Sequence, residues 1–466
     1  MQRLIGLTIA SFAFSSLSGV PPVVISPGSE VGRTINVDQG RQRGRPIDVA
    51  ALLTAARGAP AMICSLAARA VGGWGWGGSI DAPYSPLAAA GASSMDDSFD
   101  RGPLPAADVQ SLLGGLASDD PCVRELSIRL IGTQKAETVG SELMTRLGAS
   151  DASLRAVAAL GLGLVEAQSA VDPLIRALRD ASVDVRANSA WALGRIENGR
   201  AVNPLINLFG DDAERVREAA VAAVGHMDST SAVPALIRVL RQDNAPSVRR
   251  VAAWALGHIE AREAVDALAT ALAHDADARV REMSAWALGN IEDRRSLAAL
   301  GAAARSDAED RVRETAVWAL GNVEDRSAVD ILAAATTDRS PYVRGTAAWA
   351  LGQMDERGTK APAGLLRLLS DDNADVRLKA AWALGQLEDA GALPAIRDAL
   401  KSEKNDRVRK ALIRALMKSG ESSQATLTQL LSDPDPQVRE AAVRGIAGAR
   451  SFDPWPWPWP RPRPFP

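Results

Sequence analysis

Aromatic residues make up only 4% of this 466-residue chain, and within that share Trp dominates: 11 Trp against 6 Phe and 2 Tyr. Small aliphatics must therefore fill the interior, and the tryptophans call for a shared reason to be there. Two Cys and three His leave no material for a zinc ribbon, an iron–sulfur cluster or a His-rich metal centre. No cofactor and no metal are expected. Neither charge sign is in excess, since 53 Lys and Arg face 56 Asp and Glu for a net charge of −3. No global basic field draws such a chain onto nucleic acid. Also missing is an apolar run of about 18 residues, the least a transmembrane helix needs.

What is present begins with Met1–Gly19, MQRLIGLTIASFAFSSLSG. Arg3 precedes an apolar run from Leu4 to Phe14, and Ser16 and Ser18 are small enough to flank a cleavage site. That layout predicts a secretory signal peptide over 1–19 and an exported, periplasmic or secreted, protein. Residues 20–46 read as an N-terminal linker.

Self-similarity then decides the architecture. Val-Arg, followed by Trp-Ala-Leu-Gly, recurs with the Arg or its equivalent at 124, 155, 186, 217, 249, 281, 313, 344, 377, 409 and 439. Successive spacings stay within 30–33 residues. Each unit reads as two helices. In Ala170–Ile196 the first helix carries Leu174, Ile175 and Leu178, with Pro173 in its first turn. Asp180–Asp184 supplies a turn and N-cap, a second helix begins near Val185, and Gly194 suits its C-terminal stop. A degenerate unit precedes the array over 47–72, with Ile47–Ala56 as first helix and Ile63-Cys64 in the Val-Arg place. A Gly/Ser/Pro-rich loop, 73–103, is inserted after it.

The motif D-x-x-V-R-x-x-A-x-x-A-L-G-x-I-x-D/E, seen at Asp277–Glu292 and with small shifts at Asp310–Glu324, resembles HEAT repeats, specifically the short HEAT-like repeats of phycobilisome lyases. The resemblance covers about 104–449 and implies an all-α solenoid of eleven or twelve two-helix units. It says little about function, because many unrelated proteins are built from this repeat. It also implies that the Val-Arg arginines and the acidic residues after the second helix (Glu197, Glu260, Glu292, Glu324, Glu388) pair between repeats and set stacking register. Arg414 and Arg444 in the Trp place mark polar terminal caps.

On a helical wheel the Val, the following Ala, the Ala-Leu pair and the Ile share one face, the core between the two helices. Trp191, Trp254, Trp286, Trp318, Trp349 and Trp382 fall well over about 100° from it. They lie on the exposed or neighbour-facing flank of the second helix, which lines the concave side of most such solenoids. Four residues on, beside each Trp, runs a polar column: Arg195, His258, Asn290, Asn322, Gln353 and Gln386, with His226 beside Ala222. Two readings follow: a groove that admits a peptide's side chains, or rings that pack across the repeat joints.

Catalytic signatures are missing. There is no phosphate loop, no His-Glu-x-x-His and no Gly-x-Ser-x-Gly. Deoxyhypusine hydroxylase, a HEAT-like enzyme with His-Glu dipeptides, is excluded because the three His precede Met227, Ile259 and Asp275. Cys64 and Cys122 sit near the starts of second helices in adjoining units, and export would let them form a disulfide across the inserted loop. In the tail, 450–466, DPWPWPWPRPRPFP favours polyproline II. Its Trp455, Trp457, Trp459, Arg461 and Arg463 suit a membrane interface or an aromatic-lined groove.

The sequence therefore predicts a monomeric, exported, non-enzymatic scaffold that binds a protein or peptide along the Trp/amide face. Nucleic acid is not expected as a partner. The alternatives are a lyase-type enzyme or accessory subunit handling a small ligand, and an envelope-attached adaptor acting through the tail.

Overall fold

The computed structural model describes residues 47–60, 64, 103–323, 325–354, 360–421, 423–433 and 436–446. The expected signal peptide and linker, the inserted loop up to residue 102, and the tail lie outside the described residues.

Among the described residues eleven helix pairs follow one another, from Ala106–Gly115 with Pro121–Ile131 to Gln424–Leu430 with Pro436–Ile446. The helix Val49–Ala56 precedes them. One repeat shows how local sequence builds each unit. A single 3₁₀ turn, Arg262–Ala264, leads into the first helix, Val265–His274. Asp277 then accepts hydrogen bonds from the N–H groups of Arg279 and Val280, and this N-cap starts the second helix, Ala278–Ile291. Val280, Leu288 and Ile291 meet Leu268 and Leu272 in the buried layer between the two helices. The wheel placed the core on that face.

Helix ends differ from expectation. Gly194 does not stop its helix, which runs Val183–Ile196 and turns at Glu197 in the left-handed region, φ 54°. Glu260 (53°), Glu292 (53°) and Glu388 (51°) do the same, as do Glu166 and Asp228 in the same position. These acids, expected to set stacking register, are thus the C-terminal turn residues of their helices; Glu324 lies outside the described residues. The glycine that would ordinarily take such a turn is required one turn earlier, in the joint between repeats. A left-handed conformation costs a non-glycine residue about 1–2 kcal/mol, part of which glycine loses again to entropy. Glu260→Gly should therefore stabilise the chain by about 0.5–1 kcal/mol, read as a rise in urea midpoint; a fall would show that the carboxylate itself contributes more than the turn strain.

That joint is made of second helices. A Cβ built on Gly257 would lie 2.6 Å from Ala287 Cα, and one on Gly289 would lie 2.7 Å from Ala319 Cβ. Both are closer than atoms tolerate, so the successive backbones nearly touch. Small residues at these positions permit that approach. No helix among the described residues is long and apolar enough to cross a membrane.

Candidate functional site

The Trp column sits inside these joints. Trp191 is 4% exposed, and Trp254, Trp286, Trp318 and Trp349 are 6% exposed each; only Trp382 is half-buried. Each ring lies over the glycine of the preceding repeat. Cζ3 of Trp191, Trp254, Trp318 and Trp382 comes within 2.7–2.8 Å of where a Cβ on Gly163, Gly225, Gly289 and Gly352 would stand. Trp286 and Trp349 stand in the same way over Gly257 and Gly321. Trp and Gly are thus two halves of one lock, and five of the six rings do not form the open row that an exposed groove requires. The wheel angle was correct, but it did not say that the preceding repeat stands opposite.

The polar column remains at the surface. His258 and Gln353 are exposed, and Arg195, His226, Asn290, Asn322 and Gln386 are half-buried. One such side chain per repeat gives a row along the second-helix face. Arg195 donates to Glu166 at 2.5 Å, and Gln386 accepts from Lys418 at 2.9 Å. Where Ala222 interrupts the Trp column, His226 turns onto the next ring: its centroid is 4.8 Å from Trp254, which stacks on His258 at 5.2 Å. Burial, with the nearby His258 and Arg195 adding to it, lowers the His226 pKa to about 3. This imidazole is neutral at physiological pH and serves as an aromatic filler in the row.

On another face the Val-Arg arginines form a continuous ladder. Arg249 donates from Nε and Nη2 to the two carboxylate oxygens of Asp275, at 2.7 and 2.8 Å. Its Nη1 donates to the carbonyls of Asp243 and Asn244. Asp275 in turn accepts from the Asp277 N–H, and its own carbonyl accepts from Arg281. The same bidentate pairing joins Arg155–Asp180, Arg186–Asp211, Arg217–Asp243, Arg281–Asp307, Arg313–Asp338, Arg344–Asp371 and Arg377–Glu403, and Arg409 pairs with Asp433. The partner is always the acid in the next repeat's interhelical turn. Sequence reasoning placed the arginines but looked for their partners among the acids after the second helix.

Cys64 and Cys122 are joined in a disulfide, with Cα atoms 5.6 Å apart; this ties the described part of the degenerate unit to the first full repeat. Trp455, Trp457, Trp459, Arg461 and Arg463 lie outside the described residues. Among the described residues no cluster of three or more His, Cys, Asp or Glu is arranged to hold a metal ion.

The HEAT-repeat profile matches 171–256, 233–321, 297–372 and 361–447, which together exceed half the chain. The chain belongs to the HEAT-repeat family. No curated protein sequence matches it. Among solved structures, importin beta is similar with a TM-score of 0.57 and 14% identity, over 82% of this chain and 58% of that one. Kap95p, in a structure describing its binding to RanGDP, gives 0.51 and 15% over 73% and 55%. This HEAT-repeat protein thus spans little more than half the length of these importin-type chains, and the likeness is one of fold. The CpcE–CpcF complex of phycocyanin lyase from a Nostoc species matches at 24% identity over 53% of this chain and 93% of that one, with a TM-score of 0.32.

Proposed function

We propose that this HEAT-repeat protein is an exported, non-enzymatic scaffold that holds a protein or peptide partner along its second-helix face. The polar row carries the reading: Arg195, His258, Asn290, Asn322, Gln353 and Gln386 keep a hydrogen-bonding side chain at the surface in six of seven successive repeats, with His226 in the same place of the seventh. The joints beneath are locked by Trp and Gly, so the helices that carry the row need no rearrangement on binding, and only its side-chain rotamers are left to order. Neutral amides both donate and accept, which suits the main chain of a partner segment better than a small charged ligand. The importin-type fold agrees with this, since Kap95p binds RanGDP. The disulfide agrees with an oxidising compartment. The Pro/Trp/Arg tail is the second contact in this reading.

The test is a set of photo-crosslinking side chains at 290, 322 and 353 of the mature chain, exposed to an envelope extract. One partner protein should be captured at these positions, and Asn290→Ala/Asn322→Ala/Gln353→Ala should reduce its capture about tenfold with unchanged helical circular dichroism. Equal capture by probes on the first helices would overturn the reading.

A further inference from the structure

The polar row changes character at its C-terminal end. In the second helix Asp406–Lys418, the Trp place holds Arg414 and the amide place holds Lys418. Arg407 and Lys410 continue the same line. The spacing i, i+3, i+7, i+11 puts all four on one side of the helix. At about 1.5 Å per residue the stripe is about 16 Å long. Arg407 is exposed and the other three are half-buried.

The corresponding places in the central repeats are balanced: Arg279, Glu282, Trp286 and Asn290 in one, Arg311, Glu314, Trp318 and Asn322 in the next. Only this helix has four cations there. Arg444 on the following second helix adds a fifth cation, paired with Glu440, whereas Lys379 on the preceding one turns back toward Gly345. Acids on the same three second helices and their C-terminal turns include Asp375, Glu388, Asp406 and Glu440; Glu388 holds the register toward Lys418 that Glu166 holds toward Arg195. Arg409 is committed to the ladder through Asp433, and Lys418 also donates to Gln386. The excess stands against a chain that is net negative overall.

We infer that the stripe Arg407, Lys410, Arg414 and Lys418 receives an acidic peptide segment of the partner, and so fixes which end of that partner lies over the last repeats. The inference rests on the second-helix face being the binding face. A segment of about five extended residues, at roughly 3.3 Å each, matches the stripe, and carboxylates are the groups that Lys and Arg pair with at a protein surface. Gln386 beside the stripe continues the amide row, so main chain and acidic side chains are received together. A nucleic acid fits less well: a strand longer than the stripe would run onto repeats whose charges cancel.

The experiment measures fluorescence anisotropy of a labelled oligoglutamate peptide with the full chain. Binding is expected, weakening about tenfold in Lys410→Gln/Arg414→Gln and falling again between about 0.05 and 0.5 M salt. Should that variant lose helical signal, Arg407→Gln/Arg444→Gln, at exposed positions, is expected to weaken binding about threefold. Arg305→Gln, at an exposed cation on the first helix Leu297–Ser306, should bind oligoglutamate like the parent chain, while crosslinking at 290, 322 and 353 reads the amide row separately, so failure of the amide row and failure of the stripe are told apart. Unchanged binding by the glutamine variants, no binding by the parent, or tighter binding of a thymidine oligonucleotide or anionic vesicles would each overturn the inference.

Discussion

Trp286→Ala is expected to lower unfolding free energy by about 3–5 kcal/mol, the range for truncating a buried aromatic. The ring is 6% exposed and stands over Gly257 of the preceding repeat. Its loss opens a cavity where two second helices nearly touch, and nothing else fills that space. In a repeat array each unit is held only by its neighbours, so the loss should appear locally. The urea transition should separate into two steps, with the repeats on either side of the joint unfolding at different midpoints. Trp382→Ala should cost less, because its ring is half-buried. A Trp286→Ala chain with an unchanged single transition would show that the column does not hold the joints.

Arg249→Ala carries the second large effect, about 2–4 kcal/mol, somewhat below the figure for a fully buried pair. The Arg249 and Asp275 side chains are 15% and 8% exposed. Removing the guanidinium strands a nearly buried carboxylate and two turn carbonyls at once, while the Asp277 N–H still holds one carboxylate oxygen. Asp275→Asn should cost less, since a neutral amide tolerates the site better. Urea titrations of the two variants check the order; equal small losses would reduce the ladder to surface decoration.

The ladder also fixes how stability depends on acid. The Arg155 hydrogen bond chiefly holds the Asp180 carboxyl below its ordinary range. For Asp243, Asp275 and Asp371 burial pushes upward, but hydrogen bonds from the paired arginine and a turn N–H, with the arginine charges, outweigh it, and the net direction is down. A carboxyl whose folded pKa is depressed adds stability that is complete above its unfolded value, about 3.9, and is lost as pH falls through the folded one. His226 adds an earlier loss. Its folded pKa, about 3, lies below the unfolded value of about 6.5, so stability falls as soon as pH drops under the latter. The same urea series run from neutral to acid pH should therefore show a gentle decline below about pH 6.5 and a steep one below about pH 4. His226→Gln should remove the first and leave the second.

The period, the two helices per unit, and the azimuth of every column were legible in the sequence, because they follow from local spacing alone. Val280, Leu288 and Ile291 fall on the core face whatever surrounds the repeat. The role of Gly194 was not legible: its position near a helix end suggests a stop, and only the approach of Ala223 Cα, 2.7 Å from where a Cβ would stand, shows that it is a joint residue. The acids in left-handed turns were hidden for the same reason, since the glycine that usually marks such a turn is needed elsewhere. The acid partner of each arginine lies 24–27 residues ahead along the ladder, a separation that no helical period encodes.

By itself, then, the sequence determined that this chain is a repeat array and on which side of each second helix its tryptophans and polar residues stand. Only the tertiary structure decided that five of those rings are packing and that the polar row is surface. Periodicity fixes the direction in which a side chain leaves its helix; burial depends on what the neighbouring repeat places opposite it.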